Sequence, residues 1–359
     1  MAKLSYSGYL QLPRLLSCQT PESTRRGAAA HDEMLFIVTH QSYELWFKQI
    51  LHELDAVLGL LAGEFVAERE LGLALRTLER VSAIQRVLLE QIAVLETMTP
   101  LDFLDFRHLL TPSSGFQSAQ FRRIENKLGL LRGQRLSYND RPYDASLVAE
   151  ERAAVLADEA APSLFDLVEA WLARTPFVSF QQFDFWFAYR ASVAAMLAQD
   201  RATIEQQTDY GEAARAAQLD GLARIEARFA AVFDPASYDR SRAAGERRLS
   251  YAAFVAALMI SLYRDEPILQ QPFRLLTGLI QIDENLSLWR TRHALMVSRM
   301  IGSKIGTGGS SGQAYLAATV DAHRIFGDLF ELSTFFVPRS MLPALPAELQ
   351  KALGFHWRP

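Results

Sequence analysis

Apolar and polar positions from His31 to Asp55 of this 359-residue chain follow the pattern of an amphipathic helix. Phe36, His40, Tyr43 and Phe47 recur at spacings of four, three and four, so they share one side of an α-helix. Asp32 and Glu33 stand where a helix dipole favours carboxylates, and Glu44 and Lys48 have the spacing of a stabilising ion pair on another face. Three of the four residues on the apolar side are uncharged aromatic rings; the fourth, His40, is titratable. From this helix alone His40 reads as a satisfied core residue, since a hydrogen-bonded buried histidine is ordinary, and membership of a site is the alternative.

Helical periodicity continues downstream. Val66 to Met98 keeps the period through Leu78, Val81, Ile84, Leu88, Ile92 and Leu95, and Thr99-Pro100 ends it. A short helix is expected over Asp102–Leu110, stopped by Thr111-Pro112-Ser113-Ser114-Gly115, and another over Phe116–Leu131. Residues 134–147 have loop character. Helices follow over Ser163–Arg174, Phe183–Gln207 and Ala213–Phe233, then a connector through Asp234-Pro235 and the basic run Ser241–Arg248. Ser250–Tyr263, Ile268–Ile301 and a last helix near Tyr315–Phe336 complete the series. Period-two alternation is scarce. The expected fold is all-α: a single domain over 1–359, one large helical bundle, with an N-terminal arm over 1–30 and an extra charged helical segment over about 134–245. Tyr6, Tyr9 and Leu10 in the arm are apolar enough to dock, either as a strap on the chain's own core or on a neighbouring subunit.

Composition narrows the function more than the fold. Half of the residues are hydrophobic and 22% charged, as in an ordinary globular protein. A net charge of -4 gives no reason to expect nucleic acid or an anionic membrane as partner. Cys18 is the single cysteine, which excludes an intramolecular disulfide, a CxxCH haem attachment and a multi-cysteine zinc cage. No apolar run has the length of a signal peptide core or of a membrane span, so a cytoplasmic protein is expected.

A second stretch, Leu286 to Gly312, carries more chemistry. Leu286, Trp289, His293, Met296, Val297 and Met300 share a helical face, so His293 too lies on an apolar side. Two histidines on apolar faces of separate helices suit the two sides of a b-type haem, and two unrelated core histidines fit the same pattern. The GTGGSSG run at 306–312 follows a helix, lacks GK[ST] and misses GxGxxG spacing. A loop that closes over a ligand and a plain connector both fit it. Arg107, with Phe103 and Phe106, could grip a carboxylate bidentately or form a structural ion pair. His31 looks like a helix start. His52, His108, His323 and His356 have charged or terminal neighbours and are expected at surface or rim positions, and Arg247 and Arg248 on a solvated face. HExxH and GxSxG are absent, so zinc hydrolysis and serine hydrolysis have no support.

LFIVTHQSYELWFKQILHELD at 35–55, LETMTPLDFLDFRHLLTPSSGFQSAQFRRIENKLG at 95–129, GERRLSYAAFVAALMI at 245–260 and WRTRHALMVSRMIGSKIGTGGSSG at 289–312 together resemble the tryptophan 2,3-dioxygenase family. The similarity extends from YSGYLQL at 6–12 to LSTFFVPR at 332–339. The resemblance implies a cytoplasmic, homotetrameric all-α enzyme holding haem b, which opens the indole ring of L-tryptophan with O2 to give N-formyl-L-kynurenine. It assigns His293 as the axial ligand of the haem iron and His40 as the distal partner of the indole N–H. Phe36 and Phe103 would pack around the indole, with Ile37, Val38 and Thr39 in the same substrate-binding motif. Arg107 would pair with the substrate carboxylate, Thr307 would contact its ammonium and carboxylate, and Ser114 would lie near the haem edge. Tyr9 and Leu10 correspond to an arm that completes a neighbour's site. Two positions depart from the family's pattern: Phe103 stands where shorter members have tyrosine, and Gln313 replaces a more usual apolar or aromatic residue after GTGGSSG. A paralogous haem oxygenase acting on another indole, and a non-catalytic haem sensor, are the alternative readings.

Overall fold

The computed structural model describes residues 3–136, 142–207, 209, 211–304 and 313–354. Three single-turn helices, α1 (Tyr6–Tyr9), α2 (Leu12–Leu15) and α3 (Glu22–Arg25), lead into the long α4 (Glu33–Leu61) and α5 (Glu68–Leu95). Then come α6 (Pro100–Arg107), α7 (Ala119–Leu128), α8 (Ala149–Ala160), α9 (Leu164–Ala173), α10 (Phe185–Gln206), α11 (Glu212–Phe233), α12 (Pro235–Ala243) and α13 (Tyr251–Leu262). The 32-residue α14 (Gln270–Ile301), then α15 (Gln313–Ala322), α16 (Gly327–Glu331) and α17 (Ala347–Leu353) complete the order. Among the described residues the only strands are β1 (Ser179–Phe180) and β2 (Phe183–Asp184), paired antiparallel, so the fold is all-α as expected.

Local chemistry sets the helix limits. Thr99 caps α6: its Oγ1 accepts from the Asp102 amide at 3.3 Å, and Asp102 Oδ2 accepts from the Thr99 amide at 3.1 Å. Pro100 occupies the first turn, where its missing N–H costs nothing. The Thr-Pro pair therefore starts a helix as well as following one. Ser118 caps α7, which ends at Gly129 with φ +113°, a conformation that disfavours a side chain.

Four expectations need correction. Ala149–Ala160 is helical although no element was expected there; its apolar face is only Val155 deep, too narrow a stripe to stand out. Pro235–Ala243, expected as connector, is a helix because Asp234 accepts from the Ala236 and Ser237 amides. The expected last helix breaks after Ala322 and is followed by α16 and a 3₁₀ turn over Leu332–Phe335, and α17 lies beyond it. Arg247 and Arg248 are not solvated: Arg247 packs over the rings of Tyr238, Phe254 and Phe335, and Arg248 lies 3.7 Å from the Phe165 ring centroid. Phe335 and Phe165, two of the rings they pack on, are distant in sequence.

The chain falls into two compact units. One comprises Gly59–Arg76, Phe165–Ile280 and Phe326–Pro359. Its centre is α13, buried from Ala253 to Leu262, with Phe185, Tyr189, Phe229 and Phe335 fully buried as well. The other comprises Met1–Leu58, Thr77–Leu164 and Gln281–Ile325. There Leu54, Val57, Leu78, Val81 and Leu128 are buried, and Lys127 of α7 reaches Asp55 of α4 and Asp158 of α8, both at 2.8 Å. Buried amides pin α5 to α14: Asn285 Nδ2 donates to Gln85 Oε1 at 3.1 Å, and Gln85 Nε2 to the Ile282 carbonyl at 3.2 Å. All residues treated below lie in this second unit.

Candidate active site

α4, α5, α6, α7, α14 and α15 line a cavity of about 290 Å³. A single water needs roughly 10–15 Å³ on this measure, so the space suits a ligand of tens of atoms. Its apolar wall is the aromatic face seen in the sequence. Phe36 stacks on Phe103 with ring centroids 5.7 Å apart and meets Phe106 edge-on at the same separation. Tyr43 donates its hydroxyl to the Leu88 carbonyl at 2.6 Å, and burial pushes its phenol pKa up to about 12. This backbone bond fixes α4 against α5 and turns Tyr43 and Phe47 to the same cavity. Glu44, expected to pair with Lys48, accepts from Gln120 Nε2 at 2.8 Å.

His40 is held in one tautomer. Its Nδ1 lies 2.7 Å from the Phe36 carbonyl, which can only accept, so Nδ1 carries the hydrogen and Nε2 keeps its lone pair. The ring is walled in by protein yet counts as exposed because it faces the open cavity. Burial lowers its pKa, against the Phe36 hydrogen bond and the Glu44 charge, which raise it. At neutral pH it is an uncharged acceptor facing an apolar space.

His293 enters the same cavity from α14. Burial first, and the neighbouring His40 second, lower its pKa to about 4. Its Nδ1 is buried without a hydrogen-bond partner, and the Trp289 ring lies parallel to it, 3° from coplanar at a centroid distance of 5.1 Å. The His293 ring is therefore neutral at physiological pH, the form a metal needs from an imidazole.

The cavity brings together six of the residues singled out from the sequence: Phe36, His40, Phe103, Arg107, Ser114 and His293. Ser114 also caps the turn Gly115–Gln117, its Oγ accepting from the Phe116 amide at 3.3 Å. Ile37, Val38 and Thr39 are not among the lining residues; Thr39 is buried and Val38 is exposed. Tyr9 and Leu10 are exposed on the short N-terminal helices, also away from the lining. Thr307 lies outside the described residues, and Gln313 opens α15.

One wall went unforeseen. Glu125 is fully buried and gathers Arg122 at 3.0 Å, Arg135 at 2.5 Å and Arg290 at 3.0 Å, with His323 Nδ1 at 3.6 Å. Burial would raise the Glu125 pKa, but Arg135, Arg122, His323 and Arg290 outweigh it and hold the carboxyl well below its usual range. His323, expected at a surface or rim, is 3% exposed. Arg324 beside it is exposed while His323 turns to Glu125. The signal was available: Phe121, Glu125 and Leu128 share a helical face, so the carboxylate sits on an apolar stripe.

The model of the family described as tryptophan 2,3-dioxygenase matches residues 1–336. The chain belongs to the tryptophan 2,3-dioxygenase family. It is 50% identical to the tryptophan 2,3-dioxygenase of Bdellovibrio bacteriovorus, over 98% of this chain and 98% of that protein. The Dictyostelium discoideum family member is 44% identical over 98% of this chain and 88% of its own length. Tryptophan 2,3-dioxygenase B of Danio rerio is 46% identical, covering 96% and 85%. The family match spans the whole cavity wall, from Phe36 to His323.

Proposed function

We propose that this protein is a haem-dependent tryptophan 2,3-dioxygenase that opens the indole ring of L-tryptophan with O2, yielding N-formyl-L-kynurenine. The observation that carries the reading is the convergence, in one apolar cavity, of His293 as a neutral unpartnered imidazole and His40 as a tautomer-fixed acceptor. Membership of the family supports the substrate and the reaction.

The residues present fit haem b. His293 would hold the iron through its uncharged ring, with Trp289 stacked on it to limit rotation. Met296, Val297 and Met300 supply the apolar lining a macrocycle requires, and Ser114 stands at its polar edge. When bound, haem supplies ferrous iron for binding and activating O2.

His40 Nε2 accepts the indole N–H. An indole N–H is far too weak an acid for imidazole to remove outright, so His40 orients the ring and does not serve as an obligatory base. Phe36 and Phe103 hold the indole plane between them and the cavity wall. Arg107 pairs with the substrate carboxylate, and Thr307 with its ammonium and carboxylate. Tryptamine and indole lack that carboxylate and are poorer substrates. The apolar wall excludes water from the reacting ring.

The assembly is a homotetramer in which Tyr9 and Leu10 of one subunit complete a neighbour's site; 70% exposure of Tyr9 supports a partner for the arm. The protein acts in the cytoplasm. Among the described residues no helix is long and apolar enough to cross a membrane. The deciding experiment is to purify the protein with haem, add ascorbate and L-tryptophan in air, and follow N-formylkynurenine absorbance. A haem-loaded protein that forms no product overturns the reading.

A further inference from the structure

Behind the aromatic wall lies a second, smaller cavity of about 20 Å³, in the same compact unit. It shares Phe47, Phe121 and Trp289 with the main cavity and is closed on its far side by Ile50, Leu88, Ile124 and Leu286. The three shared rings form a thin partition: Phe47 and Phe121 have centroids 5.5 Å apart, and Phe121 and Trp289 5.2 Å. One face of Trp289 stacks on His293, so the small cavity is about one indole removed from that imidazole.

We propose that this cavity is a docking site for dioxygen, a small apolar gas, on its way to the main site; the inference rests on the dioxygenase reading above. Its size suits one diatomic molecule, since roughly 10–15 Å³ on the same measure already holds a water. Its chemistry rejects water. The two polar side chains on its wall, Gln85 and Asn285, are already engaged, Asn285 donating to Gln85, Gln85 donating to the Ile282 carbonyl, and Gln281 donating to Asn285 Oδ1 at 3.2 Å. The remaining polar atom on the lining side chains, Trp289 Nε1, can only donate, whereas a buried water needs two to four partners. A dry apolar void of this kind takes up apolar gases without a desolvation penalty. Rotation of the Phe47 or Phe121 ring, both at the partition, provides the passage.

Xenon, an apolar probe of similar size, tests the site directly on the haem-loaded protein. Crystals held under xenon pressure are expected to show one xenon atom between Leu88, Ile124 and Leu286, and an ordered water or nothing in its place overturns the proposal. Two filling variants, Ile124→Phe and Leu286→Phe, test the role in turnover; neither residue lines the main cavity. A variant that excludes xenon is expected to raise KM for dioxygen about threefold while haem content and KM for tryptophan stay unchanged. An unchanged KM for dioxygen in a variant shown to exclude xenon also overturns it. Xenon bound in a protein that forms no product would leave the gas site standing and bring down the reading of the main site instead.

Discussion

The two ends of the main cavity are built from opposite materials, and each holds a histidine, half-buried at one end and buried at the other. At one end His293 lies among Trp289, Met296 and Met300 with no hydrogen-bond partner for Nδ1 and a pKa near 4. At the other end His323 lies beside Glu125, itself locked to three arginines. Burial lowers both histidine pKa values, but at His323 the neighbouring Glu125 carboxylate, 3.6 Å away, opposes it. The contrast separates chemistry from architecture. Each ring has one buried nitrogen without a hydrogen-bond partner, and what differs is the surroundings: His293 stands in an apolar wall, whereas His323 beside Glu125 belongs to an ion cluster that helps hold α7, α14 and the end of α15 in place.

The largest test of that contrast is His293→Ala, which is expected to abolish stable haem binding. Haem content and absorption spectrum read the result, and a variant with both unchanged breaks the assignment. Glu125→Gln attacks the ionic end. It leaves buried guanidinium groups short of a countercharge and is expected to cost about 3–5 kcal/mol of stability, measured by denaturant unfolding. The pH dependence has a definite sign. Because the folded Glu125 carboxyl is held well below its usual range, its contribution is complete above the unfolded carboxylate pKa and is lost as pH falls through the folded value. The stability gap between wild type and Glu125→Gln should therefore narrow only below about pH 4, the ordinary carboxylate range. A gap independent of pH would show that the charge is not what matters.

Arg107→Ala is expected to raise KM for L-tryptophan, since losing a buried charge-assisted carboxylate contact costs on the order of 2–4 kcal/mol, roughly 30- to 1000-fold. KM for tryptamine should barely move, and equal changes for both would remove the carboxylate role. His40→Ala is the smallest. Losing one neutral hydrogen bond should lower turnover about tenfold while haem is retained. Loss of haem in this variant would show that the two faces are reversed.

The helices were legible where their apolar stripes are wide. Phe36, His40, Tyr43 and Phe47 repeat every turn, and the structure turns all four to one cavity. α8 was not legible, because Val155 is its one buried residue and its docking comes from polar contacts such as Asn126 Nδ2 to the Val155 carbonyl, 2.9 Å. The same reason hid the ionic wall: arginines from three segments and one carboxylate form a unit only after the chain brings them together.

By itself the sequence determined the all-α class, the family, and the two apolar faces on which His40 and His293 stand. Helical period and long ordered motifs are local properties, readable from neighbours in the chain. Only the tertiary structure decided which nitrogen of His40 is free, that His293 Nδ1 lacks a hydrogen-bond partner, that His323 is buried, and that a small apolar pocket is lined by Trp289. Tautomer, burial and void depend on what residues far along the chain place around a group, and no local pattern encodes them.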